Sequence, residues 1–140
     1  MRRICLALAI TGLGLIGAEQ AMACSCAPQS TRDALASSDV AVVGKLMDVD
    51  PATDFVAKFH YRVRRVFKGP AGLSRGEILT VRSPRQSSAC GLPRNKNRRY
   101  GLLLDRRNKR LTANLCRVVS PKRLRRAAEG KAKGRICASR

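Results

Sequence analysis

The chain has 140 residues, with 29 Lys and Arg against 9 Asp and Glu, six Cys, one His, five aromatics and no Trp. That length admits one small domain, and a hydrophobic content of 44% excludes wholesale disorder. A formal charge of +20 draws the chain toward polyanions without selecting a fold, so function has to be sought in particular sites.

Met1-Arg2-Arg3 precedes an apolar run from Ile4 to Ala18, and Ala21-Met22-Ala23 follows as an A-x-A site. A basic, then apolar, then small-residue order predicts a secretory signal peptide over residues 1–23, cleaved after Ala23. The apolar run is too short and too broken by Gly for a membrane span. Secretion or release into the periplasm follows from that reading. A lipoprotein anchored through Cys24 is the weaker alternative, because Ala21 stands where a lipobox usually has Leu. Beyond Ala23 the charge is uneven: Cys24 to Tyr61 holds 3 basic and 5 acidic residues, Arg62 to Arg140 holds 24 and 3.

Ser30 to Ala36 predicts a short helix, with Ser30 as N-cap and Asp33 in the first turn. Val40 to Val49 is rich in β-branched residues and reads as a first strand, with Gly44 marking a bulge or a close approach. Asp48, Asp50 and Asp54 are expected together in the acidic, solvated loop that follows. Phe55 to Phe67 alternates, placing Phe55, Ala57, Phe59, Tyr61, Val63 and Phe67 on one face, with Arg65 as the interruption. Lys58, His60, Arg62 and Arg64 fall on the other face. This is the second strand, and His60 is expected on its solvated face without a carboxylate beside it.

A turn through Gly69-Pro70-Ala71-Gly72 leads to a third strand, Glu77 to Arg82, and a polar loop around Cys90 runs from Ser83 to Asn97. Arg99 to Leu104 and Arg110 to Cys116 give strands four and five, joined by a turn at Arg106 to Lys109. Pro121 then starts a basic helix through Ala128, stopped by Gly130. Five strands at these spacings predict a compact, mainly β barrel over residues 24–120, with one or two short helices and a basic C-terminal helix and tail over 121–140.

Past the leader stand Cys24, Cys26, Cys90, Cys116 and Cys137. Exported cysteines are read first as disulfide partners, and Cys-x-Cys does not readily bridge to itself, so two long-range bridges are expected with their pairing open. The odd cysteine, Cys137, is a candidate for a disulfide dimer. A zinc site from four thiolates fits less well, since Cys-x-Cys lacks the usual gap of two to four residues.

Cys24-Ser25-Cys26-Ala27-Pro28 at the new N-terminus, followed by five strands with Cys90 and Cys116 placed late, resembles the N-terminal domain of the tissue inhibitors of metalloproteinases, within the netrin-like superfamily. The resemblance implies a disulfide-stapled OB-fold barrel, with Cys24 bridged to Cys90 and Cys26 to Cys116. It also implies an inhibitory edge of Cys24, Ser25, Cys26, Ala27 and Pro28 directed at a zinc metalloprotease. There the free amine and carbonyl oxygen of Cys24 would chelate the protease's catalytic zinc, with Ser25 pointing into the neighbouring pocket. One departure is plain: Ala36 and Ser37 stand where the family's usual third bridge has a cysteine.

No enzyme is expected, because there is no nucleophile-base-orienter set, phosphate-cradling Gly loop or His-Glu-x-x-His pair. No cofactor and no metal of its own are expected either. The alternative function is a basic binding module without inhibitory activity. Arg62, Arg64, Arg98, Arg99, Arg106, Arg107, Lys109 and Arg110 would form a patch for an anionic glycan, lipopolysaccharide or membrane surface. Nucleic acid is not expected, since the aromatics that stacking requires fall mainly on the core face.

Overall fold

The computed structural model describes residues 24–136. The leader and Cys137 lie outside the described residues. The elements are α1 (Thr31–Ser37), β1 (Val40–Pro51), β2 (Val56–Lys68), β3 (Ile78–Pro84), β4 (Arg99–Arg107), β5 (Arg110–Thr112), β6 (Val118–Val119) and α2 (Pro121–Ile136), with single 3₁₀ turns at Ser87–Ala89 and Leu115–Arg117.

β1 pairs antiparallel with both β2 and β4, β2 with β3, and β4 with β5, while β3 and β5 run parallel. The order β1-β2-β3-β5-β4 therefore closes back on β1 as a five-stranded mixed barrel, the Greek-key arrangement of an OB-fold. β6 adds a two-residue edge against β4. The closing strands β1 and β4 are apolar on both sides for a reason. Val42, Leu46, Leu102 and Leu104 fill the barrel with Phe59, Tyr61, Val63 and Val81. Ala41, Val43 and Leu103 face outward into a second cluster made with Ala34 and Leu35 of α1 and Leu124 of α2. Both helices thus cover one flank of the barrel and leave the β2–β3 face bare.

Several expectations are corrected. The alternation of β2 changes phase at a bulge: Val63 pairs with Gly44, but Arg65 pairs with Val43 and Val66 with Val42, leaving Arg64 as the extra residue. Val66 therefore packs on the barrel core and Phe67 on the helix cluster, so Arg65 interrupts nothing. Phe55 is not a core residue. Thr53 Oγ1 accepts from the N–H groups of Phe55 (3.3 Å) and Val56 (3.0 Å), and this side-chain turn holds Phe55 82% exposed before the strand begins.

Asp48 and Asp50 belong to the end of β1 rather than to a loop. That extension places the Asp50 carboxylate 3.0 Å from His60 Nε2, while Thr80 Oγ1 lies 3.1 Å from Nδ1, so the imidazole has the acidic neighbour that the sequence did not suggest. Asp48 meets Lys96 at 2.6 Å. The hydrogen bond from Lys96, then that from the Val49 N–H, hold its carboxyl below the usual range. The fifth strand ends at Thr112, because Asn114 Oδ1 accepts from the Cys116 N–H (3.1 Å) and turns the chain into a 3₁₀ helix. Gly130 does not stop α2, which runs to Ile136; a Cβ there would lie 3.0 Å from the tip of the exposed Arg32 side chain, which is free to swing aside.

Candidate functional site

Residues 24–30 form no regular element, and Ser25 to Ser30 are exposed, with Cys24 half-buried. A free strand of that kind would be mobile, but it is fastened at three points. Cys24 bridges to Cys90 across 5.1 Å and Cys26 to Cys116 across 5.4 Å, both measured between Cα atoms. At the third point, Ser30 begins α1: its Oγ accepts from the Asp33 N–H (3.1 Å) and donates to Asp33 Oδ2 (2.6 Å). The exposed edge Cys24-Ser25-Cys26-Ala27-Pro28 is therefore held at both ends and in the middle.

The receiving cysteines are themselves fixed. Cys90 caps the 3₁₀ turn Ser87–Ala89 in the left-handed region, at φ 62°, and donates its N–H to Ser87 O. Gly91 follows and donates to Gln86 O (2.9 Å) in space that no side chain fits. The Leu115 N–H donates to Cys90 O (2.8 Å), which ties the loop carrying Cys90 to the turn carrying Cys116. Leu92 N–H donates to the buried Ser83 Oγ (3.2 Å) and anchors that loop to β3. Arg117 secures the other side: one guanidinium nitrogen donates to Ser37 Oγ (3.1 Å), and another lies 3.4 Å from the Asp105 carboxylate.

The sulfurs of Cys24, Cys90 and Cys116 lie within 4.8 Å of one another. All are committed to disulfides, so this cluster presents no thiolate donors and acts as a double staple. Beside it opens a groove of about 700 Å³, walled by Phe55, Pro84, Ala89, Ala113, Asn114 and Arg117. The exposed ring of Phe55 is the feature of this region that alternation alone concealed. Its signal lay in Thr53, two residues upstream, whose hydroxyl closes the turn.

A family model for tissue inhibitor of metalloproteinase matches residues 22–132, most of the chain and nearly all of the described part. The chain belongs to this family. No individual curated protein matches it significantly. Membership in a family of inhibitors accords with a metalloproteinase-inhibitor-like function rather than an enzymatic one. The two disulfides suit the oxidising surroundings in which such inhibitors act. Among the described residues no helix is long and apolar enough to cross a membrane.

The basic residues singled out from the sequence do not form one patch in this family member. Arg62 is exposed on the outer face of β2, and Arg106, Arg107, Lys109 and Arg110 gather at the β4–β5 hairpin. Arg64 and Arg99 instead meet Lys122 and Arg125 near the start of α2, with Arg98 adjacent.

Proposed function

We propose that the protein, exported and cleaved after Ala23, inhibits a zinc metalloprotease through its first residue. The amine and carbonyl oxygen of Cys24 form a five-membered chelate with the protease's catalytic zinc and displace the zinc-bound water. The observation that carries this reading is the doubly stapled, exposed edge Cys24 to Pro28 at the start of the matched family region. Rigid tethering lowers the ordering cost of binding, so a five-residue edge can hold a cleft without first being immobilised. Ser25, exposed beside Cys24, faces the protease pocket next to the metal.

The amine must be neutral to donate. An α-amine with a pKa of about 7.7–8.0 is mostly protonated at pH 7, and zinc draws the equilibrium toward the neutral form. Affinity should therefore weaken about tenfold for each pH unit below that pKa, once the protease's own pH dependence is subtracted. The decisive comparison is between protein beginning at Cys24 and protein carrying one additional Ala before it. Inhibition by the first and its loss in the second, with both melting at the same temperature, is the expected result. Equal inhibition by the two would overturn the chelate.

A further inference from the structure

We infer that the bare β2–β3 face, with the β4–β5 hairpin, is a binding cleft for a sulfated or otherwise polyanionic glycan chain, separate from the edge at Cys24. A cleft of about 560 Å³ lies there, and Lys58 of β2, Arg82 of β3, Arg106 of β4, Lys109 of the hairpin and Arg110 of β5 converge on it together with Thr80. No carboxylate lines it. None of the five cations forms an ion pair among the described residues. Two carboxylates border the region, and both are already engaged: Asp39 accepts from the backbone N–H of Arg106 (2.6 Å) rather than from its guanidinium, and Asp50 is held by His60, which is in turn hydrogen-bonded to Thr80.

The cations are also set against one another. Lys58 lies directly across from Arg82, and Arg107 directly across from Arg110. Like charges facing each other across a ladder destabilise it, and ordinary surface design would place a Glu or Thr at one member of each pair. The Nε of Arg82 is buried without a hydrogen-bond partner. Lys109 adopts φ 62° after Asn108 at φ 47°, so the two-residue turn presents a lysine where Gly is the usual choice. Each of these costs is offset if oxyanions occupy the cleft.

The position fits the chemistry. In OB-folds the face of strands 2 and 3 and the loop between strands 4 and 5 form the ligand surface for oligonucleotides and oligosaccharides. The cleft itself is cationic and has no aromatic ring in its lining: Phe59 and Tyr61 are buried within the barrel, and the exposed Phe55 opens on the neighbouring groove. A charged chain held by its oxyanions is therefore favoured over single-stranded nucleic acid held by its bases.

The test measures binding of a heparin-derived octasaccharide to the full mature chain at low and moderate salt. Lys58→Glu with Arg110→Glu is compared with Arg32→Glu and Arg75→Glu, two exposed cations on α1 and the β2–β3 turn that change net charge by the same amount. The cleft pair should weaken binding at least about tenfold and flatten its salt dependence, while the control pair should change it less than about threefold. The cleft variant should melt no lower than the parent, because each change converts a like-charge opposition into an attractive one. Should it fail to fold, Lys58→Gln with Arg110→Gln replaces it and is judged by the same ratio. Equal weakening by both pairs would overturn the cleft in favour of diffuse charge. Tighter binding of phosphatidylglycerol vesicles or of a charge-matched single-stranded oligonucleotide would overturn the glycan assignment. Loss of glycan binding with unchanged protease inhibition separates this site from the edge at Cys24.

Discussion

At Gly91 a hydrogen atom stands where any other residue would carry carbon. An added Cβ would lie 2.5 Å from the Pro84 carbonyl oxygen and 2.7 Å from that of Gln86. Both obstacles are backbone, so neither can swing aside, and relief has to come from displacing the loop that carries Cys90. Gly91→Ala is expected to cost about 1–3 kcal/mol in urea unfolding, the range for overpacking a fitted interior. Because Cys90 holds Cys24, the variant should also lose inhibition by more than its unfolded fraction explains. At the same scale the Ser30 cap was legible in sequence, since a cap depends on contacts three residues apart. The His60–Asp50 contact was not, because it depends on how far β1 extends and on its register with β2.

Among the elements, strands were read well where one physical rule dominates. Alternation located β2 through Val63, and β-branched content located β1, but the bulge at Arg64 lies beyond either rule because it is set by pairing with Val43 and Gly44. Gly44 itself announced the place: a Cβ there would press on Tyr61 Cβ at 3.0 Å and Leu102 Cδ1 at 3.2 Å. The C-terminal helix shows the opposite case, where composition hides packing. Amid its many cations, Leu124 is fully buried against the flank formed by Leu35, Ala41 and Leu103. Leu124→Ala should therefore destabilise the protein by about 2–5 kcal/mol, as for a buried leucine elsewhere. A loss below about 1 kcal/mol by calorimetry would mean that α2 contributes little to the fold.

At the scale of the molecule, the barrel separates two tasks that the sequence presents together. Covering β1 and β4 with helices leaves the β2–β3 face to the cations, while the disulfides gather the N-terminal edge onto the turns carrying Cys90 and Cys116. The two bridges span 66 and 90 residues. In the chain-entropy model each stabilises by about 4–5 kcal/mol, and the logarithm makes them nearly equal. Their consequences for inhibition should not be equal. Replacing Cys24 and Cys90 by Ser keeps the amine and carbonyl of residue 24 but releases them from the 3₁₀ turn. Replacing Cys26 and Cys116 leaves residue 24 fastened and loosens the strand behind it. Both double variants are expected to lose similar stability in urea, whereas the first should weaken inhibition of a zinc protease by at least about tenfold more than the second, through the ordering cost of the reacting residue. Equal losses of inhibition would place the rigidity that matters along the whole edge, and a larger loss in the second variant would move the critical contact from Cys24 to Cys26.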